Sequence, residues 1–281
     1  MRYTNLMASR FRLLLTTSLT ALSSCCLNVS MVDIPPLSPQ EPVARLAVAH
    51  RGSLHSGLPD NSIAALRQSI AAGVPFLEVD VRRSSEGDLF LFHDGSLQSS
   101  NSKSPEALWG EPVQALSRQQ RDSVELGSGQ HIPLLAAALD TIRGSGSALQ
   151  LDFKGESDSL VFAALDLLHA RGQLNEALLQ IRKPTRIPIV LAYAPKARIL
   201  ARVRSEADLR EALRYQIEYV ELERWATPEA IREAHSSSIK VLANVSGTRL
   251  DEPLTWDYLR SRGFDTIMTN HADQALEPTL R

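Results

Sequence analysis

The sequence predicts a (β/α)8 barrel, an α/β fold in which eight parallel strands are each followed by a helix. Three observations carry this: eight short β-rich runs, helical patterns between them, and a chain of 281 residues whose first 24 read as a leader. The remainder, residues 25–281, is close to the roughly 250 residues of a typical barrel. The composition agrees, because 43% hydrophobic and 22% charged residues suit one globular domain and exclude a disordered or multi-span membrane chain. The formal net charge of -2, without a basic run, gives nucleic acid no surface to bind.

In chain order, Arg2, Arg10 and Arg12 form a positive start, and Leu13 to Leu22 is an uncharged stretch too short to span a bilayer. Leu22-Ser23-Ser24-Cys25 resembles a bacterial lipobox. It makes Cys25 the expected acylation site and the protein an exported cell-envelope lipoprotein, periplasmic or outer-membrane-associated, held to a membrane by its anchor. The competing reading is a plain secretory peptide. No cysteine follows Cys26, which removes zinc-thiolate sites and a Cys nucleophile from the folded part. Residues 25–42 form the anchored Cys and a spacer, where Pro35, Pro36, Pro39 and Pro42 disfavour helix.

The barrel domain is expected over residues 43–281. Its strands are expected at Arg45–His50, Pro75–Val81, Ala148–Phe153, Ala177–Ile181, Ala197–Val203, Glu218–Leu222, Ile239–Val245 and Thr266–Thr269. Apolar residues at three- and four-residue spacing predict helices at Ser62–Ala72, Leu134–Arg143, Ser159–Ala170, Glu206–Tyr215 and Pro228–His235. Pro184, Pro188 and Pro195 predict irregular structure between Ile181 and Ala197. Asn61 is the expected cap of the first helix.

One element breaks the alternation. Val79–Arg83 and Asp88–Phe92 show period-two patterning around a Gly-containing turn, which predicts a hairpin after the second strand, with residues 78–80 opposite residues 91–93. The hairpin returns His93 to the level of Glu78 and Asp80. The polar stretch 94–131 is longer than an ordinary connection and reads as a folded insertion or lid.

Reactive groups of a barrel sit at the C-terminal ends of its strands. Here those ends carry His50-Arg51-Gly52, Glu78-Val79-Asp80, His93-Asp94 and Asp152-Phe153-Lys154. Glu78 and Asp80 point to one face of a strand, and burying both is costly without a cation between them. With Asp152 they form an all-oxygen donor set that favours a hard ion, Mg2+, Ca2+ or Mn2+, over zinc, and one divalent cation, Mg2+ or Ca2+, is expected. His50 and His93 are available for proton transfer, while Arg51 and Lys154 offer fixed positive charge to a phosphodiester. The residues alone therefore lead to metal-assisted phosphoryl transfer.

Taken in order, His50-Arg51-Gly52, Pro59-Asp60-Asn61-Ser62, Glu78-Val79-Asp80, His93-Asp94, Ile132-Pro133-Leu134-Leu135 and Asp152-Phe153-Lys154 resemble the glycerophosphodiester phosphodiesterase family. The resemblance continues through Gly263 to Asn270. It implies that His50 and His93 are an acid–base pair of open individual roles, that Glu78, Asp80 and Asp152 hold the metal, that Arg51 and Lys154 bind phosphate, and that Asn61 supports the ligands. The implied reaction is metal-dependent hydrolysis of glycerophosphodiesters to glycerol 3-phosphate and an alcohol. A lysophospholipase-D-like or sphingomyelinase-D-like reaction giving a cyclic phosphate, on a lysophospholipid or sphingomyelin, is the alternative. A catalytically reduced headgroup-binding barrel is the reading from another class.

Four departures from the family pattern stand out: Asp152 in place of Glu, Asp60 in place of Glu, no Trp in Val241–Asn244, and Asn270 in place of Asp. The last implies that a carboxylate behind the site is missing. Arg82, Arg83, Arg202 and Arg204 read as solvent-facing, Trp225 and Tyr193 as groove wall or packing, and His55, His131, His169 and His235 as loop or surface residues. His271, near the mouth, stays ambiguous.

Overall fold

A computed structural model describes residues 46–277, apart from 104, 156 and 224–225. The leader, Cys25, the spacer to residue 42 and Trp225 therefore lie outside the described residues. No helix among the described residues is long and apolar enough to cross a membrane.

The chain runs β1 (Leu46–Ala49), α1 (Ile63–Ala71), β2 (Phe76–Arg83) and β3 (Leu89–Leu91), then α2 (Arg118–Ser123), β4 (Glu125–Gly127), β5 (Gln130–His131) and α3 (Leu135–Ile142). Regular alternation comes next: β6 (Ala148–Phe153), α4 (Asp158–Ala170), β7 (Ala177–Ile181), α5 (Ile187–Tyr193), β8 (Arg198–Val203), α6 (Glu206–Ala212) and β9 (Tyr219–Leu222). The last elements are α7 (Pro228–Ser236), β10 (Lys240–Asn244), α8 (Pro253–Ser261), β11 (Thr266–Thr269) and α9 (Ala272–Leu276). Eight of the strands, β1, β2 and β6 to β11, pair in parallel, and β1 joins both β2 and β11, closing the (β/α)8 barrel.

Parity along each strand decides what fills the barrel. Val48, Phe76, Ala148, Leu178, Leu200, Tyr219, Leu242 and Met268, one from each barrel strand, form a buried apolar layer. Two and four residues further along β2, the same inward parity carries Glu78 and Asp80, while β6 carries Gln150 and Asp152, and β7 carries Gln180. The barrel is thus sealed below by hydrocarbon and polar at the strands' C-terminal ends. A second, larger apolar core lies between strands and helices.

Strands β6, β7 and β11 have the predicted bounds, and the other barrel strands differ from theirs by one or two residues. The region between Ile181 and Ala197 is a correction: it holds a 3-10 turn at Pro184–Arg186 and then α5. Pro184 and Pro188 both sit in first-turn positions, where no backbone N–H is required, so they start helix rather than break it. Helices α8 and α9 have no counterpart among the predicted elements; Pro253 opens α8 in the same way.

The hairpin exists with β3 antiparallel to β2, but its register is one residue from that expected. The backbone N–H of Ser84 donates to Asp88, centring the turn on Glu86, and Phe92 N–H reaches the Asp80 carbonyl at 3.0 Å. The insertion is folded around its own small core, where Phe90 and Phe92 meet Leu97, Leu108, Val113, Leu116, Val124, Leu126 and Ile132.

Candidate active site

The end of β1 turns sharply. His50–Gly52 form a 3-10 turn in which Arg51 and Gly52 adopt left-handed backbone, φ 54° and 65°. Only glycine fits the second position, since a Cβ there would collide with Leu66. The turn aims the Arg51 backbone N–H at Glu78 Oε2, 2.7 Å away. It also leaves the His50 ring with Nδ1 2.8 Å from Asn270 Oδ1, across the β1–β11 closure. Burial holds the His50 imidazole below its usual pKa, against the opposing effect of the Asn270 hydrogen bond.

His93 is held differently. Its Nδ1 lies 2.7 Å from Asp94 Oδ1, and Asn101 Nδ2 donates to the other Asp94 oxygen at 2.7 Å. Burial pushes the Asp94 carboxyl up, but the hydrogen bonds from Asn101 and His93 outweigh it and keep it low. Arg82 is buried rather than solvent-facing, a correction to the sequence reading. It donates to the carbonyls of Phe92 and His93 at 2.9 and 2.7 Å and so ties the His93 backbone to β2. Inward parity explains it, because Arg82 follows Glu78 and Asp80 by even steps.

Glu78, Asp80 and Asp152 are buried, and each offers an oxygen within 4.8 Å of the others. Oxygen ligands around an ion at about 2.0–2.6 Å cannot be more than roughly 5.2 Å apart, so the three fit one hard divalent cation. Lys154 Nζ sits 2.6 Å from both Asp80 Oδ1 and Asp152 Oδ2. Burial, with the nearby charges of Asp80 and Asp152, pushes the Glu78 carboxyl well above the carboxylate range. Asp152 goes the other way: Lys154 and Arg182 overcome its burial.

Asn61 does not cap α1. Ser62 does, its Oγ accepting from Ala65 N–H at 3.2 Å. Asn61, left-handed at φ 59°, instead donates to Asp80 Oδ2 at 2.7 Å and accepts the Asp80 N–H at 2.9 Å. Arg51 reaches Asp60 at 3.1 Å, with its Nε 3.9 Å from Asp80.

Two residues of the site, Arg182 and Asp251, escape the sequence reading, and a third, Glu221, is legible there only as part of a polar strand face turned to solvent or to the barrel mouth. Arg182, directly after β7, donates to both Asp152 oxygens at 2.7 to 3.0 Å; its position past a strand end was the available signal. Asp251 accepts the backbone N–H of Asn270 at 2.8 Å, the Trp256 Nε1–H at 3.1 Å and the Thr269 hydroxyl. Glu221 accepts from Gln180 at 2.9 Å and is pushed up to about 7 by burial. Arg202 also departs from its expected solvated place, since it faces Glu221 at 3.7 Å and donates to Glu223 at 2.8 and 3.0 Å. Arg83 and Arg204 are exposed, as expected. Tyr193 stacks on Phe162 and donates to Asp166, so it packs against α4.

The family model of the "Glycerophosphoryl diester phosphodiesterase family" matches residues 50–274. A Mycobacterium tuberculosis protein named "Probable glycerophosphodiester phosphodiesterase 2" is 32% identical over 98 residues, a stretch that spans 35% of this chain and 35% of that protein. Among solved structures, a glycerophosphodiester phosphodiesterase from Agrobacterium tumefaciens shares the fold with a TM-score of 0.68 at 19% identity, over 83% of this chain and 99% of that one. A phosphodiesterase from Oleispira antarctica, in complex with the product sn-glycerol-3-phosphate, does so at 0.68 and 18%, over 82% and 94%.

Proposed function

The chain belongs to the glycerophosphoryl diester phosphodiesterase family, and from that premise we propose that it is an enzyme hydrolysing glycerophosphodiesters to glycerol 3-phosphate and an alcohol. The observation that carries this is the matched pair of histidines beside a carboxylate trio: each ring is held through Nδ1, by Asn270 and by Asp94, which leaves Nε2 as the nitrogen that exchanges a proton.

The two partners support one division of roles. His50 is held by a neutral amide and its buried ring favours the uncharged form, so it is the base. It takes the proton of the glycerol hydroxyl next to the phosphate as that oxygen bonds to phosphorus. His93, oriented by the Asp94 carboxylate, is then the acid and gives a proton to the leaving alcohol oxygen as its bond to phosphorus breaks. Water then opens the cyclic phosphate with the roles exchanged, giving glycerol 3-phosphate and returning both rings to their starting states. Arg51 and Lys154 offset the charge that gathers on the phosphoryl oxygens. A divalent ion held by Glu78, Asp80 and Asp152 would supply Lewis-acid polarisation of the phosphoryl group when bound.

One observation favours a second reading, in which the cyclic phosphate is released from a lysophospholipid. Asp152 is one methylene shorter than the Glu most members have, and Arg182 grips both its oxygens. For export, the lipobox at Cys25 supports an acyl-anchored protein of the cell envelope; incorporation of labelled palmitate that disappears in Cys25→Ser tests it. For the chemistry, phosphorus NMR of the protein with glycerophosphocholine, with and without Mg2+ or Ca2+, is decisive. Metal-dependent glycerol phosphate, absent in His50→Ala, is expected. A persistent cyclic product from lysophosphatidylcholine would favour the second reading, and no turnover on either substrate would leave a headgroup-binding barrel.

A further inference from the structure

Leu250, Leu254 and Tyr258 stand four residues apart and are 59%, 76% and 50% exposed. A single exposed leucine needs no explanation, but three large apolar side chains in nine residues form a stripe. Leu254 and Tyr258 share one face of α8, and Leu250 lies in the turn that leads into it. A helix that follows a barrel strand starts at the strands' C-terminal rim, so the stripe begins at the mouth. The other side of the same segment faces inward: Trp256 is buried and donates to Asp251, which accepts the N–H of Asn270, the residue that holds His50. Basic groups flank the stripe. Arg249 is exposed beside Leu250, and the Arg262 guanidinium lies 5.7 Å from the Tyr258 ring centroid and donates to its hydroxyl. Glu252 is the exposed acid of this stretch, while Asp257 turns to Arg260.

We propose that the Leu250–Leu254–Tyr258 stripe is a docking surface for a phospholipid bilayer, which seats the barrel mouth against the lipid headgroups. The chain preceding the barrel points to this occupant. β1 begins at Leu46, on the face opposite the mouth, and under the lipoprotein reading the membrane anchor is Cys25. Residues 26–45, fully extended, reach roughly 65–70 Å. A domain of this length is about 45 Å across, so the tether can pass the barrel and let the mouth turn to the membrane. Apolar side chains beside arginines match an acyl–phosphate boundary.

The inference rests on the tether reading for its occupant, and the experiment removes the tether so that the two can fail separately. In the full chain carrying Cys25→Ser and Cys26→Ser, an environment-sensitive fluorophore is placed at Leu254→Cys or, on the far end of α7, at Ser237→Cys. On adding vesicles of phosphatidylethanolamine and phosphatidylglycerol, a blue shift with an intensity rise is expected at 254 and not at 237. Emission at 254 that stays aqueous, or shifts equally at both sites, overturns the proposal. So does emission at 254 already shifted without vesicles, which marks cover by this chain's own N-terminal segment or, when it grows with concentration, by a second copy. In a second readout, Leu254→Ser with Tyr258→Ser lowers co-sedimentation of the same Cys25→Ser, Cys26→Ser chain with these vesicles at least about tenfold, a lower bound because the two side chains need only be partly buried in lipid. Turnover of monomeric glycerophosphocholine stays unchanged; vesicle binding equal to that of the parent chain overturns the docking role.

Discussion

His50 owes its behaviour to a single amide. Burial holds the ring below the ordinary imidazole range, and Asn270, 2.8 Å from Nδ1, can stabilise the charged form only weakly. In Asn270→Asp a carboxylate takes that place, stabilises the charged imidazole and raises its pKa. A base must be deprotonated to act, so the acid limb of the kcat/KM profile moves to higher pH, whereas a purely structural role for residue 270 leaves the limb in place. Arg182 is the second residue whose removal should be felt. Its fork carries Asp152 alongside Lys154, and a charged hydrogen-bonded pair of this kind contributes about 1.5–3 kcal/mol. Arg182→Met is expected to lower kcat/KM by about 10- to 100-fold. Arg182→Lys recovers part of that, since a point charge replaces half the fork; wild-type rates in Arg182→Met would remove the residue from the site.

At the scale of elements, the β2–β3 hairpin and the insertion are joined by Asp88. Arg118 donates to both Asp88 oxygens at 2.7 and 3.0 Å, and Arg121, from the same helix α2, donates at 2.8 Å. Those hydrogen bonds hold the Asp88 carboxyl below the usual carboxylate range. A depressed acid stabilises the fold above its unfolded pKa and loses that contribution as pH falls through the folded one. Asp88→Asn is therefore expected to lower the thermal midpoint by about 1–3 °C at pH 7, a small figure because the pair is partly solvated. The gap between variant and wild type should close below about pH 4; a gap constant with pH would assign the effect to packing. Elements also mark how far the sequence could be read. Period-two parity placed Glu78, Asp80 and Asp152 inward, and strand ends located His50 and Lys154. The Asn61 cap and the broken fifth helix were misplaced because Asn tolerates left-handed backbone and proline tolerates a first turn. The contacts of Asn270 with His50 and of Asp251 with Asn270 join residues 220 and 19 positions apart. The first exists only once β1 pairs with β11 and the second only once the segment before α8 meets the end of β11, and no local pattern carries either. The carboxylate that Asn270 lacks is thus supplied one step further out, by Asp251.

For the whole molecule, the open question is electrostatic. Closing the barrel brings Glu78, Asp80 and Asp152 together in a buried site, where Lys154 bridges Asp80 and Asp152, Arg182 also grips Asp152, and the Arg51 backbone holds Glu78. The site can thus fold on internal cations, and the pressure to admit a further positive charge falls on Glu78, whose burial and acidic neighbours oppose its ionisation. An ion that binds only the closed barrel stabilises it by mass action, about 2.7 kcal/mol at one hundred times its dissociation constant. For a domain of this size that amounts to roughly 5–10 °C in thermal midpoint. Wild-type protein should therefore melt higher as Mg2+ or Ca2+ is raised at constant ionic strength, and chelator should reverse the gain. Glu78→Gln removes one ligand and one burden of like charge. It is expected to melt at or above the wild-type temperature in chelator while losing most of the metal-dependent rise. The two shifts have opposite signs, which separates a metal ligand from a carboxylate that only packs. A variant that melts lower in chelator yet keeps the full rise would remove Glu78 from the metal site and leave Asp80 and Asp152 as its remaining candidates.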